Sequence, residues 1–535
     1  MRSAPIPDTS PTSVRFLLGA IVLLAAVLRI WGIEYGLPHP LTRPDEERIT
    51  DKALRMLSDQ TLGPGEFVYP SLQKYLCMAA LEAHFAFLRL SGRCPTRGDF
   101  IEWVTVVHPR LYYRTCRLVS VLTGVATVPL VFALGRRLSG QRRVGLVAAL
   151  LLAVCYLHVR DSHFATVDVT MTFFTTLCVF LALEAARTGR TAAFAAAGLA
   201  AGLAAAAKYN AVVVCVVVPA AGWARVRERP DERRAAAWWL LAGAAAAIAG
   251  FLIGVPFAIR ERTRILDTVT ATAAALHAGE GPMAFRVHLL DSLPGGLGWP
   301  LYLAGLAGIA RVMWRRRPED WVWLSFALAW YLLIGPVRWV VPRYVLPLVP
   351  LFAVAAAELA SALTSRSRPL QACAAVLLAA PPLWRSIQYD RVASRPDTRV
   401  LAADWIADNV PAQSRIAICE GYAAPVLHGK RPGRMPFLPK PITCSRAEIA
   451  STPARYLVTH EHPQLGVWAP SGYYRGVLGD RWRAIAVFDP FSEAGPAGAH
   501  FHRGDAFYIP YTGFDAVTRG GPLVTVWEKS DGAPE

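Results

Sequence analysis

PSLQKYLCMAALEAHFAFLRL, residues 70–90, is long enough to cross a bilayer, and whether it does so decides the topology of everything after it. Counting it as a span moves every later loop to the opposite side of the membrane. The stretch carries Gln73, Lys74, Glu82, His84 and Arg89, charges that are costly inside hydrocarbon. We therefore read it as an amphipathic helix lying at the outer interface.

Working outward from it, the chain of 535 residues is 54% hydrophobic and only 18% charged. Apolar runs of bilayer-crossing length recur along it, which fits a polytopic helical membrane protein and not a soluble enzyme. The formal charge of +17 does not point to nucleic acid. The arginines cluster between apolar runs, at GRRLSGQRR (135–143), ARTGR (186–190), RVRERPDERR (225–234), RVMWRRRPED (311–320) and TSRSR (364–368). Placing all five in the cytoplasm satisfies the positive-inside bias. About eleven helices result, near 15–33, 115–135, 143–159, 169–186, 192–207, 209–224, 237–257, 298–313, 321–337, 343–363 and 369–384, with the N-terminus inside. The basic, apolar N-terminus lacks an A-x-A-like cleavage site and reads as a retained first helix.

This topology gives a membrane domain over 1–390, with long external loops at 34–114 and 258–297. From 395 to 535 the composition becomes that of a small extracytoplasmic α/β domain. PDTRVLAADWIADNVP reads as a helix capped by Asp397 or Thr398, and strands are expected at 415–419, 454–460, 483–488 and 522–529. The nine cysteines show no C-x-x-C pair or zinc spacing. Cys419 and Cys444 lie in the polar tail and can pair if it faces an oxidising compartment.

Several charged residues fall on the external side. LTRPDEERITDK (41–52) places Asp45 and Glu46 just beyond the first span. Such carboxylates can serve as a general base, or simply favour a helix N-terminus. RDSHFATVD (160–168) brings Arg160, His163 and Asp168 to the mouth of an apolar helix; Asp168 is either functional or an N-cap, and His163 a polar contact or structural. Lys208 and Arg343, followed by Tyr344, sit at helix ends, where a cation either snorkels to headgroups or clamps a phosphate. Tyr69 precedes Pro70 at the interfacial helix, as a substrate contact or an interfacial anchor, and Lys74 follows. His277 and Glu66 are the two external residues considered for a divalent metal. Phosphate loops, dinucleotide fingerprints and serine-hydrolase elbows are missing from the sequence. Carboxylates beside cations at one membrane face suit a phosphate carried on a lipid.

In order along the chain stand LRIWG, RPDE, FVYPSLQKYL, RLVSVLTGVATVPLVFALGRRL, RDSHFATVDVTMTFF, AGLAAGLAAAAKYN, PRYVLPLVP, DTRVLAADWIADNVP and DAFYIPYTGFDAVTRGGPLVTVWE. In this order the sequence resembles the bacterial membrane glycosyltransferases related to protein O-mannosyltransferases (glycosyltransferase family 39-like) and to the aminoarabinose transferase of lipid A, which have the GT-C fold. The resemblance implies inverting transfer of a hexose or pentose from a polyprenyl-phosphate donor to a glycan, lipid or protein acceptor at the outer face of a bacterial inner membrane. It makes Asp45 the general base, with Glu46 and Asp168 as further acidic positions. Lys208 and Arg343, beside Tyr344, become the donor-phosphate residues. The alternatives are a lipid-diphosphate oligosaccharide transferase or ligase, and a non-enzymatic polyprenyl-sugar flippase. The partners implied are donor, cell-envelope acceptor and membrane lipids, without nucleic acid. Two departures stand out: Tyr69-Pro70 replaces the Lys-Pro of the lipid A enzymes, and Arg-Gly-Gly-Pro at 519–522 replaces a common Arg-Pro-Gly-Pro.

Overall fold

The computed structural model describes residues 10–278, 281–364, 367–428, 437–464, 472–493, 495–502, 505 and 507–530. Helices occupy each of the eleven expected spans, and among the described residues seven are long and apolar enough to cross a membrane. Residues 70–90 form the helix Leu72–Leu90, which is not one of the seven. The protein is a multi-pass helical membrane protein with a small sheet-containing domain.

The chain divides into two compact units. The first comprises 1–30, 55–81 and 116–387. At its centre the helix Asp168–Thr188 is largely buried and packs on the helix Thr191–Ala207. That helix packs in turn on Ala236–Gly254. Glycines let their backbones approach: a Cβ on Gly198 would fall 2.0 Å from the Gly243 carbonyl oxygen, and one on Gly202 2.0 Å from that of Ala247. Small residues four apart are how helices pack closely in lipid, where dispersion between backbones replaces the hydrophobic drive.

Three expected helices are interrupted, two of them for a reason visible in the local sequence. The span expected at 143–159 breaks at Cys155, whose ψ of 116° is extended. The span at 209–224 opens as a 3-10 segment, Tyr209–Val216, where a run of β-branched valines weakens the α-helix. The span at 343–363 also opens as 3-10, Pro342–Leu348; Pro347 and Pro350 have no N–H for the first α-helical bonds.

The second unit comprises 31–54, 82–115 and 388–535. Its sheet has five strands, β1 Arg415–Cys419, β2 Leu438–Ile442, β3 Tyr456–Glu461, β4 Trp482–Phe488 and β5 Leu523–Lys529, in the order β2-β1-β3-β5-β4. β1 is parallel to β2 and β3, and β5 is antiparallel to β3 and β4. β2 has no counterpart in the expected strands: its sequence, LPKPI, contains two prolines, tolerable only on an edge strand. The helix Thr398–Asn409 is capped by Asp397 and packs Ala402 and Ile406 into a core with Ile416, Tyr456, Val458, Val524 and Val526. Cys419 and Cys444 form a disulfide.

Candidate active site

Asp45 is placed by a tight turn in the second unit. The Glu46 amide donates to the Arg43 carbonyl at 3.2 Å, closing a four-residue turn with Pro44 and Asp45 at its centre. Asp45 has φ +75°. Proline first and a left-handed residue second is the pattern of a type II turn, in which the second position normally falls to glycine. A side chain there implies a reason to carry one. The Asp45 side chain is 27% exposed, with the Arg48 guanidinium 4.0 Å away. Glu46 is fully buried, and its carbonyl receives the Thr50 amide, so the helix Glu47–Ser58 begins after it. Asp45 therefore stands ahead of the helix and is not one of its first-turn acids.

The turn is tied down on both flanks. Arg43 is buried; its guanidinium pairs with Asp505 at 2.9 Å and lies 5.0 Å from the Phe507 ring centre. Buried Arg399 grips Asp397 with two 2.8 Å bonds and donates to the carbonyls of Leu41 and Tyr422. Burial works against the Asp397 carboxylate, but the Arg399 charge more than offsets it and holds the carboxyl below its usual range. His39 accepts the Leu41 amide on Nδ1, so its proton sits on Nε2, which donates to the Ala424 carbonyl at 2.7 Å. Burial and the Arg399 charge keep this imidazole neutral, its pKa lowered to about 3. Glu47, absent from the sequence reading, accepts the Tyr422 hydroxyl at 3.1 Å; burial raises its carboxyl pKa.

The first unit holds the second cluster. Asp168 is 2% exposed and opens its helix. Lys208 Nζ donates to its Oδ1 at 2.7 Å, and Arg343 Nε lies 3.8 Å from Oδ2. The Lys208 ammonium also lies 5.0 Å from the Tyr344 ring centre, a cation–π contact. Two cations thus face one carboxylate. Lys208 is positioned by the break between its helix and the 3-10 segment from Tyr209.

The loop before Tyr69 is held by several donors. Lys74 Nζ donates to the carbonyls of Glu66 and Tyr69, Tyr75 to that of Leu62, Tyr209 to that of Phe67 and Arg264 to that of Gly65. Lys74 is fully buried, as are Arg160, 3.3 Å from Asp161, and His163, whose Nδ1 is 2.8 Å from the Val159 carbonyl. His277 is exposed with Nδ1 on the Ala273 carbonyl, and among the described residues no three His, Cys, Asp or Glu side chains form a metal-binding group.

Residues 86–270 match the model of the dolichyl-phosphate-mannose-protein mannosyltransferase family. The structure is similar over 98% of this chain to the ArnT of Cupriavidus metallidurans bound to undecaprenyl phosphate, at a TM-score of 0.53 and 13% identity, covering 100% of that chain. The same protein in its apo state matches at 0.53 and 14% identity, covering 97% of this chain and 98% of the other. The chain has the GT-C membrane glycosyltransferase fold. An arabinofuranosyltransferase AftD from mycobacteria is matched at 15% identity with a TM-score of 0.45, over 98% of this chain and 40% of AftD. No curated protein matches by sequence. Within a GT-C protein, Arg43, Asp397, Arg399 and Asp505 were the residues the sequence concealed. Their partners lie hundreds of positions apart, or within a motif that reads as an ordinary helix cap.

Proposed function

We propose that this protein transfers a sugar from a polyprenyl-phosphate donor to an extracytoplasmic acceptor, with inversion and with Asp45 as general base. The observation that carries the reading is the Asp45 turn. A carboxylate is kept at a left-handed position that favours glycine, partly exposed, while its neighbours Arg43 and Glu46 are buried.

The chemistry balances without a further reactant. Asp45 takes the proton of an acceptor hydroxyl as its oxygen bonds to the anomeric carbon. The carbon–oxygen bond to phosphate breaks, and the polyprenyl phosphate leaves with its second negative charge. Lys208 and Arg343 offset that charge, because fixed cations stabilise most where charge develops. Lys208 and Arg343, both set against Asp168, supply the cations that a lipid-linked phosphate needs. The bound undecaprenyl phosphate of the similar ArnT structure supports a donor of this class. The Cys419–Cys444 disulfide supports an oxidising, periplasmic location for the tail of a bacterial inner-membrane protein.

The test is release of label from a panel of polyprenyl-phosphate sugars by the purified protein with cell-envelope extract as acceptor. One donor should be consumed. Consumption of none, with protein shown to be folded, would defeat the reading.

A further inference from the structure

The second unit carries a cleft of about 1050 Å³ between the segment after the first helix, the residues around His108 and the helix Thr398–Asn409. We propose that it binds a neutral carbohydrate chain, the glycan of the acceptor; this rests on the transferase reading above.

The lining identifies the ligand by its chemistry. Glu34, Asp404 and Asp408 supply carboxylates, and Arg110 and Arg114 supply guanidiniums. Carboxylates and guanidiniums are mixed and partly paired, which offers no single-sign field to a polyanion or a polycation, and this much charge excludes a lipid tail. A sugar hydroxyl both donates and accepts, so a polyhydroxyl ligand can satisfy carboxylates and guanidiniums together. Val106, Val107 and Pro109 offer an apolar strip for the C–H faces of a sugar ring. The volume lies just above the ~300–1,000 Å³ usual for small-ligand pockets, room for more than one ring.

The polar groups are preset yet exchangeable. Arg114 pairs with Glu34 at 2.9 Å, and His428 with Asp404 at 2.9 Å, with all four side chains between 44% and 57% exposed. Asp404 and Asp408 are four apart on one helix and share a face. Pairs this exposed contribute little against water, so hydroxyls can replace them cheaply.

The cleft is also coupled to the proposed base by covalent continuity. The segment that lines it at Glu34 and Pro38 runs on to the Asp45 turn. The loop 420–428 ends at His428 in the cleft, and its Tyr422 donates to Glu47, two residues past Asp45. One wall therefore serves both places.

The experiment uses the full chain in nanodiscs, wild type and the double variant Asp404→Ser/Asp408→Ser. Both are presented with immobilised neutral oligosaccharides of mannose, galactose, glucose or arabinose units, and with uronic-acid oligosaccharides. Expected: a neutral oligosaccharide is retained, and the variant binds it about tenfold or more weakly, as loss of roughly two hydrogen bonds implies. The variant's melting temperature and its release of donor sugar to water should match wild type. Retention of none, of uronic oligosaccharides alone, or equal binding by the variant overturns the proposal. Donor consumption is scored separately. Its absence from both proteins would remove the transferase reading even where the oligosaccharide result stands.

Discussion

Replacing Asp45 by glycine, alanine and asparagine separates its backbone from its carboxylate. At φ +75° an ordinary L-residue pays about 1–2 kcal/mol because Cβ crowds the following carbonyl. Asp and Asn pay less, being several-fold enriched in this region. Glycine pays nothing there but gains about 0.5–1 kcal/mol of unfolded-state entropy. Stability should then rank glycine equal to or slightly above wild type, asparagine within about 0.5 kcal/mol of it, and alanine about 1 kcal/mol below. For a unit of about 200 residues, 1 kcal/mol is roughly 2–4 °C in melting temperature. Activity should rank differently. Loss of a general base costs about 10²–10⁴-fold, so all three variants should fall by that amount whatever their stability. Melting curves and single-turnover transfer on the same samples give both rankings. If glycine or asparagine keeps transfer within tenfold of wild type, Asp45 only shapes the turn. If alanine melts no lower than glycine, the left-handed conformation is not used.

Three further outcomes follow from named contacts. Lys208→Gln should raise the donor KM by about tenfold or more, read by initial rates over donor concentration, since one of the two cations facing Asp168 is lost. Arg43→Ala should destabilise the second unit by about 3–5 kcal/mol, read by denaturation, because it leaves Asp505 buried without its cation. His39 predicts acid sensitivity: with a native pKa of about 3 against 6.5 unfolded, the unfolded state binds the extra proton between those values. Stability is therefore full above pH 6.5 and falls as pH drops, by about 2 kcal/mol near pH 5. His39→Gln should flatten that slope in melting temperature against pH.

Much of the fold was legible because lipid imposes simple rules. Apolar length and arginine clusters located helices at all eleven expected positions, since unpaired backbone and misplaced cations are both costly in lipid. Strands β1, β3, β4 and β5 were legible from β-branched runs, while β2 was hidden by its two prolines. The candidate site was legible only where a short motif carries it. RPDE names the turn as well as the acid, because Pro44 presets the backbone that Asp45 completes. The Asp168–Lys208 ion pair joins positions forty apart, and nothing local encodes it. Lys74 and Arg160 stand in polar stretches of sequence, and only the structure shows them buried, Lys74 on two carbonyls and Arg160 beside a neighbouring carboxylate. Charge identifies where a site can be, and packing decides how its charges are paired.

The most direct test of the central claim is donor binding and single-turnover transfer by Asp45→Asn beside wild type, with the polyprenyl-phosphate sugar that wild type consumes. The account predicts that the variant binds this donor with wild-type affinity and transfers none within many wild-type turnover times. Transfer by the variant at near wild-type rate would contradict it.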